Sequence, residues 1–174
     1  MKVVMTVCAL LIFISLPIYG QWEHSRNIDL MTDVDTSEAT LRGSLIRGDD
    51  GILRRKHEFL RVQCLPSGKA RVFLQLSGEV TVPPYSYNVI YRADGGPIRS
   101  LGSWTHKDWP VCLRDRCRRR LLELQPTVSS ARALTQIMKS SELIIRLEDQ
   151  PDASTAVFQV NKGRDQLMRL SCLQ

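Results

Sequence analysis

The chain has 174 residues, about the length of one domain, with 43% hydrophobic and 24% charged residues. This composition excludes a disordered chain, a collagen-like fibre and a multi-pass membrane protein. The formal net charge is +6, and an aromatic content of only 6% disfavours a surface that stacks bases or sugars.

Residues 1–20 have the order of regions that is typical of a secretory signal peptide. Lys2 supplies a positive start, residues 3–16 are almost wholly apolar, and residues 17–20 lead to an expected cleavage before Gln21. The apolar run is shorter than the roughly 20 residues that span a bilayer, which disfavours an uncleaved anchor. We therefore expect an exported mature protein that keeps no integral membrane segment.

The next segment, residues 21–40, is polar and acidic without a sustained period, and it predicts a partly ordered N-terminal arm. A single domain is expected over residues 41–174. Residues 41–47 indicate a first strand, and the Gly-Asp-Asp-Gly sequence at 48–51 predicts a turn.

Alternating apolar residues predict two strands over 60–64 and 72–76, and the Pro-Ser-Gly-Lys turn at 66–69 joins them into a β-hairpin. Val72, Leu74 and Leu76 form the apolar side of the second strand, with Phe73 on the opposite side. Alternation resumes over 89–93, and a further strand is expected from Ile98 toward Trp104.

After Pro126 the apolar spacing changes to that of a helix over residues 131–138. Alternation returns over 143–147 and 156–160, and residues 162–170 predict a short closing helix. The pattern therefore predicts an α+β fold with an antiparallel sheet of about six strands and two short helices packed on one face.

Four cysteines remain once Cys8 leaves with the signal peptide: Cys64, Cys112, Cys117 and Cys172. An even number in an oxidising compartment indicates two disulfides, with three connectivities open. The close spacing of Cys112 and Cys117 favours a small loop, which leaves Cys64 to pair with Cys172. Zinc is disfavoured because the other two thiols are isolated and the histidines are scattered, so we expect neither a metal nor a cofactor.

No catalytic motif is present in the sequence, and we do not expect an enzyme. His106 has a carboxylate two positions further on at Asp108, but no nucleophile elbow, zinc-protease motif or phosphate-binding loop accompanies it. Four carboxylates cluster in the N-terminal arm and could in principle form an acid–base pair, but a solvated acidic arm is favoured. They belong to Asp29, Asp33, Asp35 and Glu38.

Five arginines surround the Cys112–Cys117 loop and form the candidate binding surface. They are Arg114, Arg116, Arg118, Arg119 and Arg120. Guanidinium groups bind phosphate or carboxylate in a bidentate manner, although a solvated charge run is the simpler interpretation. The expected partner is an unidentified protein of the cell envelope or an anionic envelope polymer, since nucleic acid is not expected outside the cytoplasm.

Several fragments, in this order, resemble the VasI-type periplasmic proteins associated with type VI secretion systems. They are Trp22 with Asp-Leu-Met-Thr-Asp at 29–33, Leu-Arg-Val-Gln-Cys at 60–64, Val-Ile-Tyr-Arg-Ala-Asp-Gly-Gly at 89–96, Trp104, the strands near 143–147 and 156–158, and Leu-Ser-Cys at 170–172. The chain departs from the family pattern at Leu30, where the family has proline, and at residues 111–122, which look like an insertion.

The resemblance implies a periplasmic accessory protein of a Gram-negative envelope, with no enzymatic activity, that assists type VI secretion or contacts its envelope partners. Two alternatives remain. The protein could be an inhibitor or immunity protein that blocks a toxin or a cell-wall-degrading enzyme with its protruding loop. It could also be an envelope hydrolase that uses His106 and nearby carboxylates.

Overall fold

The computed structural model describes residues 20–45, 58–80, 86–106, 119–127, 129–148 and 155–174. The strands in these ranges are β1 (Trp22–Ser25), β2 (Ile28–Asp29), β3 (Val34–Asp35), β4 (Glu38–Arg42), β5 (Ser44–Leu45), β6 (Phe59–Cys64), β7 (Ala70–Val80), β8 (Tyr87–Ala93), β9 (Arg99–His106), β10 (Arg119–Pro126), β11 (Leu143–Leu147) and β12 (Ala156–Phe158). The helices are α1 (Ala131–Lys139), α2 (Arg164–Leu167) and a 3-10 turn at Ser171–Leu173.

Within these ranges ten strands form one antiparallel sheet in the order β1-β4-β6-β7-β10-β9-β8-β11-β12-β5, and β2 and β3 form a separate pair. The sheet curls until its two ends meet, because β5 follows β4 after a single residue. Strand β4 pairs with β6 at one end of the sheet, whereas β5 pairs with β12 at the other.

Gly43 lies at the junction of β4 and β5 and permits this close approach. Its N–H donates to the Glu58 carbonyl oxygen at 3.0 Å. A Cβ at this position would lie 2.9 Å from the Phe158 ring, closer than real Cβ contacts allow. The absence of a side chain is therefore what lets Phe158 of β12 pack against the bend.

The hairpin of β6 and β7 explains how the sequence pattern produces the core. Leu60 lies opposite Leu74, and Val62 lies opposite Val72, so the alternating apolar residues of both strands point to one side. All four of these side chains are at most 1% exposed. The hairpin predicted from the alternation and the turn at 66–69 is confirmed.

One cluster of buried side chains fills the interior and includes residues from both ends of the sheet and from both helices. Trp22 of β1 is 1% exposed, and its indole N–H donates to the Val160 carbonyl oxygen at 3.0 Å. Ile137 of α1 and Leu167 of α2 lie in the same cluster. Arg164 joins the two helices, because its guanidinium donates to the Ser140 carbonyl oxygen at 2.5 Å.

The outer face of the sheet carries a second, smaller cluster around Arg61. Its guanidinium carbon lies 4.7 Å from the centroid of the Phe73 ring and 5.6 Å from that of Phe59. The same group pairs with Glu38 at 3.6 Å and with Glu123. Phe73 is on the opposite side of β7 from Leu74, as the alternation predicts, yet it is only 2% exposed because Arg61 covers it.

The disulfide between Cys64 and Cys172 is confirmed. It joins the end of β6 to the C-terminal 3-10 turn across a sequence separation of 108 residues. The Cys172 N–H also contacts the Cys64 sulfur at 3.3 Å. The other predicted pair, Cys112 with Cys117, lies outside the described residues, as do residues 1–19 of the predicted signal peptide.

The predicted count of about six strands is wrong, because the described residues contribute ten strands to the main sheet. The additional strands come partly from residues 21–45, interpreted as an arm and one first strand, where β1, β4 and β5 have 4, 5 and 2 residues and are too short to give a clear period. The remaining addition is β10, where adjacent Leu121 and Leu122 interrupt the alternation next to an irregular register with β7.

The predicted packing of both helices on one face also needs correction. In a curled sheet the concave side is a closed interior rather than an open face, and α1 and α2 contribute to that interior together with strands from every part of the sheet. In the part of the chain that the structure describes, no helix is long and apolar enough to cross a membrane.

Candidate functional site

The predicted arginine surface falls mainly outside the residues that the structure describes. Arg114, Arg116 and Arg118 lie there together with the cysteines of their loop. Arg119 and Arg120 begin β10, with Arg119 opposite Val80 of β7. Arg119 thus lies where β7 ends and β10 begins, and the binding role of the loop stays a prediction.

His106, the residue of the hydrolase alternative, is the last residue of β9 and lies opposite Leu124 of β10. Among the described ranges, no three side chains of the His, Cys, Asp and Glu types come together as potential metal ligands.

The most distinctive described surface is the hairpin of β2 and β3, which lies outside the main sheet. Ile28 pairs with Asp35, and Asp29 pairs with Val34, so a four-residue turn forms the tip. Leu30 and Met31 occupy this turn with exposed fractions of 90% and 92%. Two adjacent large apolar side chains therefore project into solvent from a narrow hairpin.

Asp29 fixes the conformation of this tip. Its carboxylate accepts the Met31 N–H at 2.8 Å, and its carbonyl oxygen accepts the Thr32 N–H at 3.3 Å. The Met31 N–H, followed by the Thr32 hydroxyl, lowers the pKa of Asp29 below its usual value. This Asx turn holds Leu30 and Met31 in one backbone arrangement although neither side chain packs against the protein.

The base of the hairpin is closed by a set of polar contacts. The Asn27 side-chain amide donates to the Thr36 hydroxyl at 2.8 Å, and the Thr36 N–H donates to the Asn27 carbonyl oxygen at 2.8 Å. The Asn27 N–H donates to the hydroxyl of Ser37 at 2.9 Å, and Ser37 is itself 2% exposed. The hairpin thus leaves the sheet in a defined direction.

Asp35 connects this hairpin to the disulfide. One carboxylate oxygen accepts the Ser37 N–H at 2.8 Å, and the other accepts the hydroxyl of Ser171, the neighbour of Cys172. The Ser171 hydroxyl, followed by Ser37, lowers the pKa of Asp35 to about 2. The covalent bridge therefore holds, through Ser171, the strand that supports the exposed tip.

These contacts change the interpretation of the acidic cluster. Asp29 and Asp35 are bonded to the hairpin itself, and Glu38 pairs with Arg61 on the outer face of the sheet. Three of the four carboxylates therefore have local structural partners instead of forming a purely solvated arm. The sequence did contain a signal for the tip, since an Asp followed by two apolar residues and Thr-Asp is unusual in a turn.

A comparison of the chain with protein-family models, with curated proteins and with solved structures finds no match in any of the three. The geometry of the described residues therefore carries the functional argument.

Proposed function

We propose that this protein is an exported, non-enzymatic binding protein that acts as an accessory of a periplasmic assembly such as a type VI secretion system. The observation that carries the proposal is the exposed Leu30–Met31 tip on a hairpin braced at both its turn and its base. The disulfide between Cys64 and Cys172 supports an oxidising compartment, because such bridges persist there and are rare in the cytosol.

A braced apolar tip suits protein binding for two physical reasons. Association costs free energy when a flexible loop must be ordered, and Asp29 has already ordered this turn. Binding energy is also concentrated in a few well-buried side chains, so two large apolar groups can anchor a contact of modest area. The flexible thioether chain of Met31 can adapt to an irregular apolar surface.

The tip also indicates the chemistry of its partner. The carboxylates of Asp29 and Asp33 flank Leu30 and Met31 in the sequence of the turn. A complementary surface would present an apolar pocket with cationic groups at its rim, since opposite charges steer association and exclude wrong partners. The narrow shape of the hairpin is also compatible with insertion into an enzyme cleft, which keeps the inhibitor or immunity function as a second candidate.

The proposal can be tested by site-specific photocrosslinking in cells that make the protein at its natural level. A photoreactive residue at position 31 should give a discrete adduct with an envelope protein, and Leu30→Ser should weaken that adduct. Ile98 provides a matched control position because it is 66% exposed and lies beside a different turn. The same adducts at positions 31 and 98, or none at 31, would contradict the proposal.

The identity of the adduct separates the two candidate functions. A component of an envelope assembly supports the accessory function, whereas one stoichiometric toxin or wall-degrading enzyme supports the inhibitor function. Cell fractionation and a His106→Ala variant complete the test. We expect the protein in the periplasmic fraction and full function in the variant, and loss of function there would favour the hydrolase alternative.

A further inference from the structure

A polar cleft of about 420 Å³ lies between the turn that precedes β7, the end of β10 and the start of α1. Its volume falls within the range of about 300–1,000 Å³ that small-molecule sites occupy. Two cationic side chains, Lys69 and Arg71, contribute to its wall. Residues two apart in extended backbone point to the same side, so both charges reach the same cleft.

The positive charges of Lys69 and Arg71 have no acidic residue beside them among the described residues of the cleft wall. None of the described residues that line it is an Asp or a Glu. The Arg71 guanidinium donates to the neutral side-chain oxygen of Gln125 at 3.3 Å, a long contact that leaves its other N–H groups available. Arg61, on the same sheet, has both Glu38 and Glu123 as partners. Among the described residues, Arg61 is thus paired with carboxylates, whereas Lys69 and Arg71 lie beside the open cleft without a carboxylate partner.

Two serines add hydrogen-bond donors to the same wall. The Ser130 hydroxyl oxygen accepts the Val72 N–H at 2.9 Å, and the Ser129 hydroxyl oxygen accepts the Ala131 N–H at 3.1 Å. A hydroxyl that accepts an N–H in this way keeps its own O–H to donate. The backbone bonds also fix the positions of both oxygens, so these donors require little ordering when a ligand binds.

We propose that this cleft binds an oxyanion, a phosphate or sulfate group, carried by a polar unit such as a sugar. The wall offers an ammonium group, a guanidinium group and two serine hydroxyls, all of which donate to oxygen. The hydroxyl and amide side chains around them suit a sugar better than an apolar ligand. None of the described residues that line the cleft belongs to the β2–β3 hairpin, and the proposal does not depend on the function proposed for the exposed tip.

The test is calorimetric titration of the disulfide-bonded protein with glucose 6-phosphate, glucose 6-sulfate, inorganic phosphate and glucose. We expect saturable binding of at least one of the two sugar oxyanions at or below millimolar concentration, weaker binding of inorganic phosphate, and no binding of glucose. The difference between the phosphate and the sulfate identifies which oxyanion the cleft prefers. The binding should weaken as salt is added, because both cations are exposed.

Charge-removing variants decide whether the cleft is the site. Lys69→Gln and Arg71→Gln should each weaken binding at least about tenfold, since hydrogen bonds to charged groups are the strong ones. Arg99→Gln is the matched control, because it removes an exposed positive charge at the opposite end of β9 from Thr105, which lines the cleft. Equal weakening by Arg99→Gln and Arg71→Gln, or no saturable binding of either sugar oxyanion, would overturn the proposal.

Discussion

Two hairpin turns of this molecule each contain an aspartate with left-handed backbone. The two turns differ in whether their polar groups bond to the rest of the protein. Asp33 ends the turn between β2 and β3 with a φ of 53°, and Asp94 begins the turn between β8 and β9 with a φ of 47°. Aspartate is among the few residues other than glycine that adopt this conformation readily. The similarity ends with the backbone.

The turn between β8 and β9 is bonded to the rest of the protein. The Asp94 carboxylate accepts the N–H groups of Ser141 and Glu142 at 2.9 and 2.8 Å, which fixes the start of β11. The Arg92 guanidinium donates to the carbonyl oxygens of Gly95 and Gly96, each at 2.8 Å. The Arg-Ala-Asp-Gly-Gly sequence at 92–96 therefore has a structural explanation in local hydrogen bonds.

In the turn between β2 and β3, the bonds from Met31 and Thr32 to Asp29 shape the turn itself, and Leu30 and Met31 are exposed to solvent. Single exposed apolar residues such as Ile98 are common and need no explanation, but an adjacent pair at the tip of a braced hairpin is a more specific feature. Hydrogen bonding alone therefore does not mark a functional turn. The direction in which the apolar side chains point is the more informative property.

The largest expected loss of stability, and the largest difference between the two turns, should come from removing the disulfide. The bridge is linked through Ser171 to the β2–β3 hairpin. The double variant Cys64→Ser/Cys172→Ser is expected to lose about 2–5 kcal/mol of unfolding free energy, measured by urea denaturation. Under native conditions, hydrogen exchange at the Thr36 amide, in the base of the β2–β3 hairpin, should accelerate by a larger factor than exchange at the Gly96 amide. Equal acceleration at both amides would show that the bridge does not brace the hairpin.

A smaller loss of unfolding free energy is expected when the turn between β8 and β9 loses the carboxylate of Asp94. Asp94→Ala should reduce the unfolding free energy by about 0.5–2 kcal/mol, the range for losing a side chain that caps backbone N–H groups. Asp94→Asn should lose less, since asparagine keeps an acceptor oxygen and tolerates the left-handed backbone. Asp33→Ala is the control, because it introduces the same backbone penalty at the exposed turn. If the two alanine variants were equally destabilised, the bonds to Ser141 and Glu142 would contribute nothing.

The smallest expected effect concerns pH and tests the link from the hairpin to the C-terminus. The pKa of Asp35 is lowered to about 2 in the folded protein, against about 4 for an unfolded chain. The folded state therefore binds fewer protons, so the stabilisation is complete above about pH 4 and is lost as the pH falls through about 2. Asp35→Asn should reduce the dependence of the melting temperature on pH between 4 and 2.

Ser171→Ala provides the matched variant for this pH effect, because it removes the hydroxyl that lowers the pKa of Asp35 most and leaves the carboxylate in place. We expect it to reduce the acid dependence in part, with the remainder due to Ser37. An unchanged melting profile in both variants would rule out a stabilising bond between Asp35 and Ser171.

The sequence predicted best those elements whose residues alternate over a long run beside a clear turn. The β6–β7 hairpin and β11 emerged for this reason, and helix α1 followed from the helical spacing of Ala131, Leu134, Ile137 and Met138, of which the structure buries Ile137 and leaves Ala131 exposed. Pairing Cys64 with Cys172 also succeeded, because the close spacing of the other two cysteines left few choices.

The remaining features depend on contacts that no local pattern contains. Closure of the sheet requires Gly43 to meet Phe158, residues far apart in the chain. The burial of Phe73 depends on Arg61 of a neighbouring strand, and the wall of the cleft combines residues from β7, β10 and the start of α1. The exposed tip was hidden in a segment interpreted as an arm, since two-residue strands are too short to show a period.

The bend at Gly43 also constrains the order of events during folding. Strands β4 and β5 are made early in synthesis, yet β5 finds its partner only in β12, more than a hundred residues later. Cys64 must likewise wait for Cys172, which follows it by 108 residues. Because such distant pairings raise the contact order, we expect slow folding, with closure of the sheet as a late step. A nascent chain of this protein would therefore keep an open sheet until β12 and Cys172 have left the ribosome.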